Sequence, residues 1–491
     1  SKYSGKDSAP ALTRLGGPAW EKLKKKTKKA IADMAADLIK LYAERRAQAG
    51  YNFGPDTVWL KQLETSFPYD ETPDQMKAIN DVKRDMAEDK PMDRLICGDV
   101  GYGKTEVGVR AAFKAVEQGK QVAVLVPTTI LAQQHFQTFS ERLHEFPVRV
   151  EMLSRFKTRK EQLEIVDELA EGKVDLVIGT HRLFSKDVFF KDLGLLIVDE
   201  EHRFGVRHKE KLRQLKASVD TISMTATPIP RTLQMALMGA RDMSLITTSP
   251  KDRLPISTEV VEFDPAIIAT AVLREIDRGG QVFFVHNRVQ TIEAMYRYLK
   301  KVVPQAEIGI AHGQMHEKSL EGIMLAFMSG RYNVLLCTSI IESGLDIPSA
   351  NTIIINRADR FGLAQLYQIR GRVGRSARRA YAYLLSPPTR LMSADAVKRL
   401  RALEAHSDLG SGFALAMRDL EIRGAGTILG ARQSGFIEEI GYDMYTRLLE
   451  EAIAEVQGKQ IHRLPEVKME LDAELHLSDR YINDRHQKVD I

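Results

Sequence analysis

An apolar run, Arg94-Leu95-Ile96-Cys97, meets a helix-forming stretch, Val107 to Val116, through Gly98-Asp99-Val100-Gly101-Tyr102-Gly103-Lys104-Thr105. A strand that passes through a glycine turn directly into a helix belongs to an α/β architecture. The glycines let the backbone curl so that successive N–H groups face one anionic centre. The helix that begins at about Thr105 adds the positive end of its dipole. Lys104 brings a mobile positive charge for β- and γ-phosphates, and the Thr105 hydroxyl is a ligand for Mg²⁺. A turn that merely joins strand to helix is the alternative, and the flanking elements disfavour it.

The strand and helix units recur on both sides of a polar, proline-bearing stretch at 247–256. Before it, apolar runs predict strands at 95–97, 121–126, 148–152, 174–178, 194–198 and 220–224. Helical patterns lie at 105–118, 129–143, 158–171 and 207–216. After it, strands are expected at 258–263, 281–285, 307–311, 333–337, 352–355 and 380–385. Helices are expected at 265–278, 289–302, 316–329 and 364–369. Alternation of this kind gives parallel sheets covered by helices on both faces, with ligands at the carboxyl ends of the strands. The chain's 491 residues exceed what one core holds. Two lobes with a cleft between them follow, only the first of which has a phosphate loop.

Other strand ends carry chemistry. Leu195-Leu196-Ile197-Val198 ends in Asp199-Glu200-Glu201-His202. Asp199 is placed to hold Mg²⁺ opposite Thr105, and Glu200 to orient or deprotonate an attacking water. Ser223-Met224-Thr225-Ala226-Thr227 closes the next strand with hydroxyls that bridge His202 and the nucleotide site to a neighbouring domain; a plain turn is the alternative. Upstream, a short helix from Pro73 to Met86 carries Gln75, whose amide fits the edge of adenine. Phe67 fits either adenine stacking or ordinary packing. In the second lobe, Arg370-Gly371-Arg372-Val373-Gly374-Arg375 is either a solvated loop or a pair of fingers, Arg372 and Arg375, that reach a γ-phosphate across the cleft.

At the amino end, Trp20, Leu23, Thr27, Ile31, Met34, Leu38 and Leu41 recur at helical spacing, between Pro18 and Gly50. A rod of about 30 residues spans roughly 45 Å. Its lysine cluster, Lys22 to Lys29, reads as a solvated face or as a phosphate-contacting, domain-linking rod. Net charge of +5 permits a nucleic-acid partner without requiring one. Cys97 and Cys337 read as buried thiols of a reducing, cytoplasmic setting. No apolar run reaches the roughly 20 residues that span a bilayer, so no membrane partner is expected. A chain that begins at Ser1 reads as a piece of a longer protein.

The motifs GDVGYGKT (98–105), PTT (127–129), GTHRL (179–183), DEEH (199–202), TAT (225–227), HNR (286–288), TSIIESGLDIP (338–348) and QIRGRVGR (368–375) resemble a superfamily 2 helicase motor of the DExH type. The resemblance implies two tandem RecA-like lobes, with ATP and Mg²⁺ between them. It implies nucleotide contacts from Phe67, Gln75, Gly98, Asp99, Val100, Gly101, Tyr102, Gly103, Lys104, Thr105, Asp199 and Asp346. Catalysis would fall to Glu200, Lys104, Gln368, Arg372 and Arg375. DNA would lie across both lobes, against Thr128, Thr129, Thr180, His181 and Arg182 of the first. His286, Asn287, Arg288, Thr338 and Ser339 of the second would complete the track. Hydroxyls, amides and cations of this kind grip phosphates without reading bases.

Residues 413–435 resemble the translocation motif shared by the branched-DNA translocase RecG and the transcription-repair coupling factors. Arg418, Arg423, Arg432 and Gln433 are its polar candidates. The basic helix with Leu15-Gly16-Gly17 and Trp20 resembles the linker ahead of the coupling-factor motor. Residues 466–490 resemble the start of that family's C-terminal regulatory domain. The implied organisation is a linker and long helix (1–65), an ATP-binding lobe (66–247), a second lobe (248–390), a helical hairpin (391–436) and a C-terminal helix and tail (437–491). The implied activity is ATP-driven translocation on double-stranded DNA. RNA polymerase and nucleotide-excision-repair proteins would be partners of the longer protein. A RecG-like branched-DNA motor and a strand-separating helicase are the alternatives.

Overall fold

The structure, a computed structural model, describes residues 49–405 except 202–203, 205–218, 227–241, 251–253, 343–345 and 375–377. The long basic helix, the helix expected at 207–216, the hairpin with Arg418, Arg423, Arg432 and Gln433, and both His202 and Arg375 lie outside the described residues.

The first lobe opens with helices α1 (Val58–Thr65) and α2 (Pro73–Met86). Then come β1 (Asp93–Gly98), α3 (Lys104–Glu117), β2 (Gln121–Leu125), α4 (Thr129–Leu143), β3 (Val150–Leu153) and α5 (Arg159–Glu171). The strands β4 (Leu176–Gly179), β5 (Leu193–Asp199), β6 (Asp220–Thr225) and β7 (Asp242–Ile246) complete a seven-stranded sheet of order β3-β4-β2-β5-β6-β1-β7. The second lobe has β8 (Ser257–Glu262), α6 (Pro265–Asp277), β9 (Gln281–Val285), α7 (Ile292–Val302), β10 (Ile308–Ala311) and α8 (Glu317–Met328). It continues with β11 (Val334–Cys337), β12 (Ala350–Asn356), α9 (Leu363–Arg370), β13 (Tyr381–Ser386) and α10 (Ala394–Ala405). Its six strands run β10-β11-β9-β12-β13-β8. The strand pairs in both sheets are parallel.

Both faces of each sheet are buried, and the period of two along a strand sorts its residues between them. Val122, Val124 and Ile197 enter one cluster with the α2 and α3 side chains, while Ala123, Leu125, Leu196 and Val198 enter another with α5. In the second lobe Phe283, Val285 and Leu335 face one way and Val282, Phe284 and Leu336 the other. Cys97 and Cys337 are both buried, and burial pushes the Cys337 thiol far up.

The helix at Pro73–Met86 has the predicted bounds because its start is written locally: Thr72 caps the Gln75 N–H, the Gln75 side chain returns the bond to Thr72, and Pro73 fills the first position. Three elements differ from the expectation, α10 in that it lies in the span expected to be a hairpin yet packs on the second lobe. They are α1, the edge strand β7 beside β1, and α10, whose Leu400 and Leu403 join the second lobe's core. The predicted helix at 289–302 begins as a short 3-10 turn, Val289–Thr291. Among the described residues, no helix is long and apolar enough to cross a membrane.

Candidate functional site

Strand β1 lies between β6 and β7, so the loop after it opens at the carboxyl edge of the sheet beside the ends of β5 and β6. Gly101 and Gly103 have φ of 80° and 74°, the left-handed region that glycine enters without strain. A Cβ at Gly103 would stand 2.5 Å from Gln75 Nε2. The loop is therefore both curled and crowded. Lys104 begins α3, and its Nζ donates to the carbonyls of Gly98 (2.6 Å) and Asp99 (2.8 Å).

A cavity of about 180 Å³ lies over this loop. It is lined by Val100, Gly101, Gly103, Lys104 and Thr105, by Asp199 and Glu200, by Leu131, Gln134, His135 and Thr138 of α4, and by Asp346 and Arg372 of the second lobe. Of the predicted phosphate, metal and catalytic residues, the structure thus brings Val100, Gly101, Gly103, Lys104, Thr105, Asp199, Glu200, Asp346 and Arg372 around one space, and leaves Gln368 off it. Whole-ligand pockets run from about 300 Å³ upward, so this is the size of the phosphate end. Turned N–H groups, a lysine, a hydroxyl and a carboxylate are a donor set that fits a triphosphate with Mg²⁺.

Asp199 accepts or shares a hydrogen bond with His135 Nε2 at 3.1 Å. Burial opposes its ionisation, but His135, Lys104 and Arg372 outweigh that and hold the carboxyl below the usual carboxylate range. Glu200 is buried, with φ at 50°, and its backbone N–H donates to Met224 O at 2.9 Å. The Thr225 hydroxyl donates to Glu200 Oε2 (3.3 Å) and the Ser223 hydroxyl to Glu201 Oε2 (2.9 Å). The hydroxyls of β6 therefore orient the two glutamates that follow β5.

The second lobe approaches through the end of α9. The Tyr367 hydroxyl donates to Asp99 Oδ2, and Gly371 packs against Val100. Arg372 is buried at the cavity wall. Gln368 is half-buried on α9 and does not line the cavity. Gln134 pairs with the Asp346 backbone, donating to its carbonyl (2.8 Å) and accepting from its N–H (3.2 Å).

The two adenine candidates stand apart from the cavity. Gln75 accepts from Thr72 N–H and donates to Tyr102 O at 3.0 Å, so much of its amide braces the phosphate loop. Phe67 lies edge-on to Tyr69, with the Arg110 and Arg142 guanidinium carbons each 5.4 Å from its ring.

In each lobe the track candidates follow the carboxyl ends of neighbouring strands. Thr128 and Thr180 follow the neighbouring strands β2 and β4, while His286 and Thr338 follow the neighbours β9 and β11. Their side chains divide by exposure. His181, Asn287 and Arg288 are exposed. Thr128 caps α4. Thr129 is buried and donates to Glu321 Oε1 of the second lobe at 2.6 Å. Arg182 forks onto Asp187 at 2.7 and 2.6 Å. Thr180 and Thr338 are buried, and Ser339 is half-buried. His286 is buried, accepts from Asn356 at Nδ1 (2.9 Å) and donates from Nε2 to Thr291 (2.8 Å). Burial, reinforced by Arg288, lowers its pKa and keeps it neutral.

Sequence reasoning missed Gln134, His135 and Tyr367. Each meets its partner only in the tertiary fold. The signal available was Gln134-His135 falling two turns after Thr128 on a helix that starts at a strand end.

The DEAD/DEAH box helicase family profile matches residues 72–236, and the helicase conserved C-terminal domain profile matches residues 266–377. The chain is 53% identical over 494 residues to the transcription-repair-coupling factor of Bacillus subtilis, covering all of this chain and 42% of that protein. The corresponding factor of Staphylococcus haemolyticus is 52% identical with the same coverage. The chain thus spans less than half the length of these relatives. A solved structure of RecG bound to a three-way DNA junction superposes with a TM-score of 0.73 at 35% identity, over 88% of this chain and 57% of that one. The two helicase profiles thus match in the order of the two lobes, and the chain is similar over its whole length to part of the transcription-repair-coupling factors.

Proposed function

We propose that the chain is a DNA-dependent ATPase that walks along double-stranded DNA. The observation that carries this reading is the single cavity lined by Lys104, Thr105, Asp199 and Glu200 of one lobe and by Asp346 and Arg372 of the other. ATP bound there joins the lobes. Lys104 leaves the loop carbonyls for the β- and γ-phosphates, and Thr105 and Asp199 would hold Mg²⁺. When bound, that ion neutralises charge on the phosphate oxygens. Glu200, fixed by Thr225, orients the attacking water and takes its proton. Arg372, with Arg375 beside it in sequence, meets the charge that develops on the γ-phosphate. Hydrolysis removes the bridging charge and the lobes part.

Each lobe holds DNA at its own strand ends, so closing and opening advance one grip past the other. The exposed His181, Asn287 and Arg288 make the phosphate contacts, and the buried His286, Thr129 and Thr338 shape the loops that present them. In the longer protein we read this push as acting on RNA polymerase in the service of repair; the relatives' name, transcription-repair-coupling factor, supports a link between transcription and repair and no more. The likeness to RecG on a three-way junction favours a second reading, a branched-DNA motor.

Displacement of a triplex-forming strand from duplex DNA is the test. ATP-dependent displacement without unwinding of a plain duplex is expected. Unwinding of a plain duplex would establish a strand-separating helicase instead, and action confined to three-way junctions would favour the second reading.

A further inference from the structure

The residues that join the two lobes in sequence begin immediately after β7, and they begin under a clamp. Asp74 Oδ2 accepts four hydrogen bonds, from the N–H and the hydroxyl of Thr247 and from the N–H and the hydroxyl of Thr248, each at 2.8 Å. These donors hold the carboxyl down to about 2 against the effect of its burial. A surface aspartate that merely caps its own helix would not gather donors from a segment more than 170 positions away.

The clamp sits on the phosphate loop's own supports. Gln75, next to Asp74, holds the Tyr102 carbonyl. Ile246, next to Thr247, pairs with Gly98 across the sheet, and a Cβ on Gly98 would lie 3.0 Å from both Ile246 Cβ and its carbonyl oxygen. The first and fifth residues of the loop therefore each touch a residue adjacent to the clasp. A shift of the loop by the width of a methyl group has no slack to absorb it on either side.

We propose that Asp74 is a positioning residue that ties the inter-lobe linker to the phosphate loop, so that gain or loss of nucleotide at the loop is handed to the second lobe. The proposal rests on the nucleotide reading of the cavity. It gives Asp74 no contact with the nucleotide, and places its effect in coupling rather than in binding.

Lys251 and Arg253 put trypsin sites in the linker just beyond the clasp. In the full chain, a non-hydrolysable ATP analogue is expected to change the rate of cleavage there at least about fivefold, the low end of ordinary coupling between sites. Asp74→Ala is expected to erase that change while leaving the equilibrium affinity for the analogue near that of the parent. Thr247→Val with Thr248→Val, which removes the two hydroxyl donors and keeps the two N–H donors, is expected to fall between, and gives the same reading if Asp74→Ala does not fold. A nucleotide-dependent cleavage change that survives in a folded Asp74→Ala chain overturns the proposal. So does a parent chain that binds the analogue without any change in cleavage. A parent chain that binds no analogue overturns the nucleotide reading itself, and the proposal with it.

Discussion

Glu200 occupies the left-handed region, φ 50°, where a side chain costs about 1–2 kcal/mol. That conformation lets its carboxylate turn toward Thr225 and the cavity while Asp199 faces His135. Glu200→Gln preserves shape and removes the base. Its kcat for ATP hydrolysis is expected to fall by about 100-fold or more, with ATP binding retained. Unchanged turnover would sink the assigned role. His286 gives a residue-scale prediction with a defined pH sign. Its folded pKa is lowered, so below an unfolded value of about 6.5 the unfolded chain binds the proton more readily. The stability His286 contributes is therefore full above that pH and is lost as pH falls below it. The melting-temperature difference between the parent and His286→Asn should shrink as pH is lowered from 8 to 5.5, a range set by that pKa. Arg288→Ala should instead leave stability alone and reduce the salt dependence of duplex binding by about one counterion.

At the scale of elements, α4 ties three surfaces together. Its cap follows β2 at the strand-end edge, Ile130 enters the second lobe's core, and Gln134 and His135 face the cavity. Thr129→Val breaks the bond to Glu321, worth about 1 kcal/mol, and leaves Arg155 3.7 Å from that carboxylate. Duplex-stimulated ATP hydrolysis should weaken several-fold while thermal stability barely moves. A parallel loss of stability would mark the contact as packing only. This bond also shows where sequence reading stops. The helicase resemblance implies Thr129 as a nucleic-acid contact, and in the structure its hydroxyl is turned toward the second lobe. Elements with local signatures were legible: the phosphate loop, the helix from Pro73 to Met86 and the apolar central strands. The edge strand β7, Asp-Met-Ser-Leu-Ile, has neither a continuous apolar run nor a clear alternation. It is a strand because β1 offers it a free edge. Gln134 and Tyr367 were illegible for the same reason, since their partners lie 212 and 268 positions away.

For the whole molecule, the account requires one site made by two lobes. Lys104, Thr105, Asp199 and Glu200 line the cavity from one side and Arg372 from the other, the space the proposed function gives to nucleotide. Neither lobe completes the chemistry alone, so hydrolysis should depend on whatever stabilises their approach. On the proposed function, duplex DNA laid across both sets of strand ends would be that agent. The steady-state ATPase rate of the full chain, measured alone, with single strands and with duplex DNA, tests this directly. Stimulation by duplex well beyond that by single strands, abolished in Arg372→Ala with ATP affinity retained, is the predicted result. A rate indifferent to duplex DNA, or an Arg372→Ala chain that hydrolyses ATP as the parent does, would contradict it.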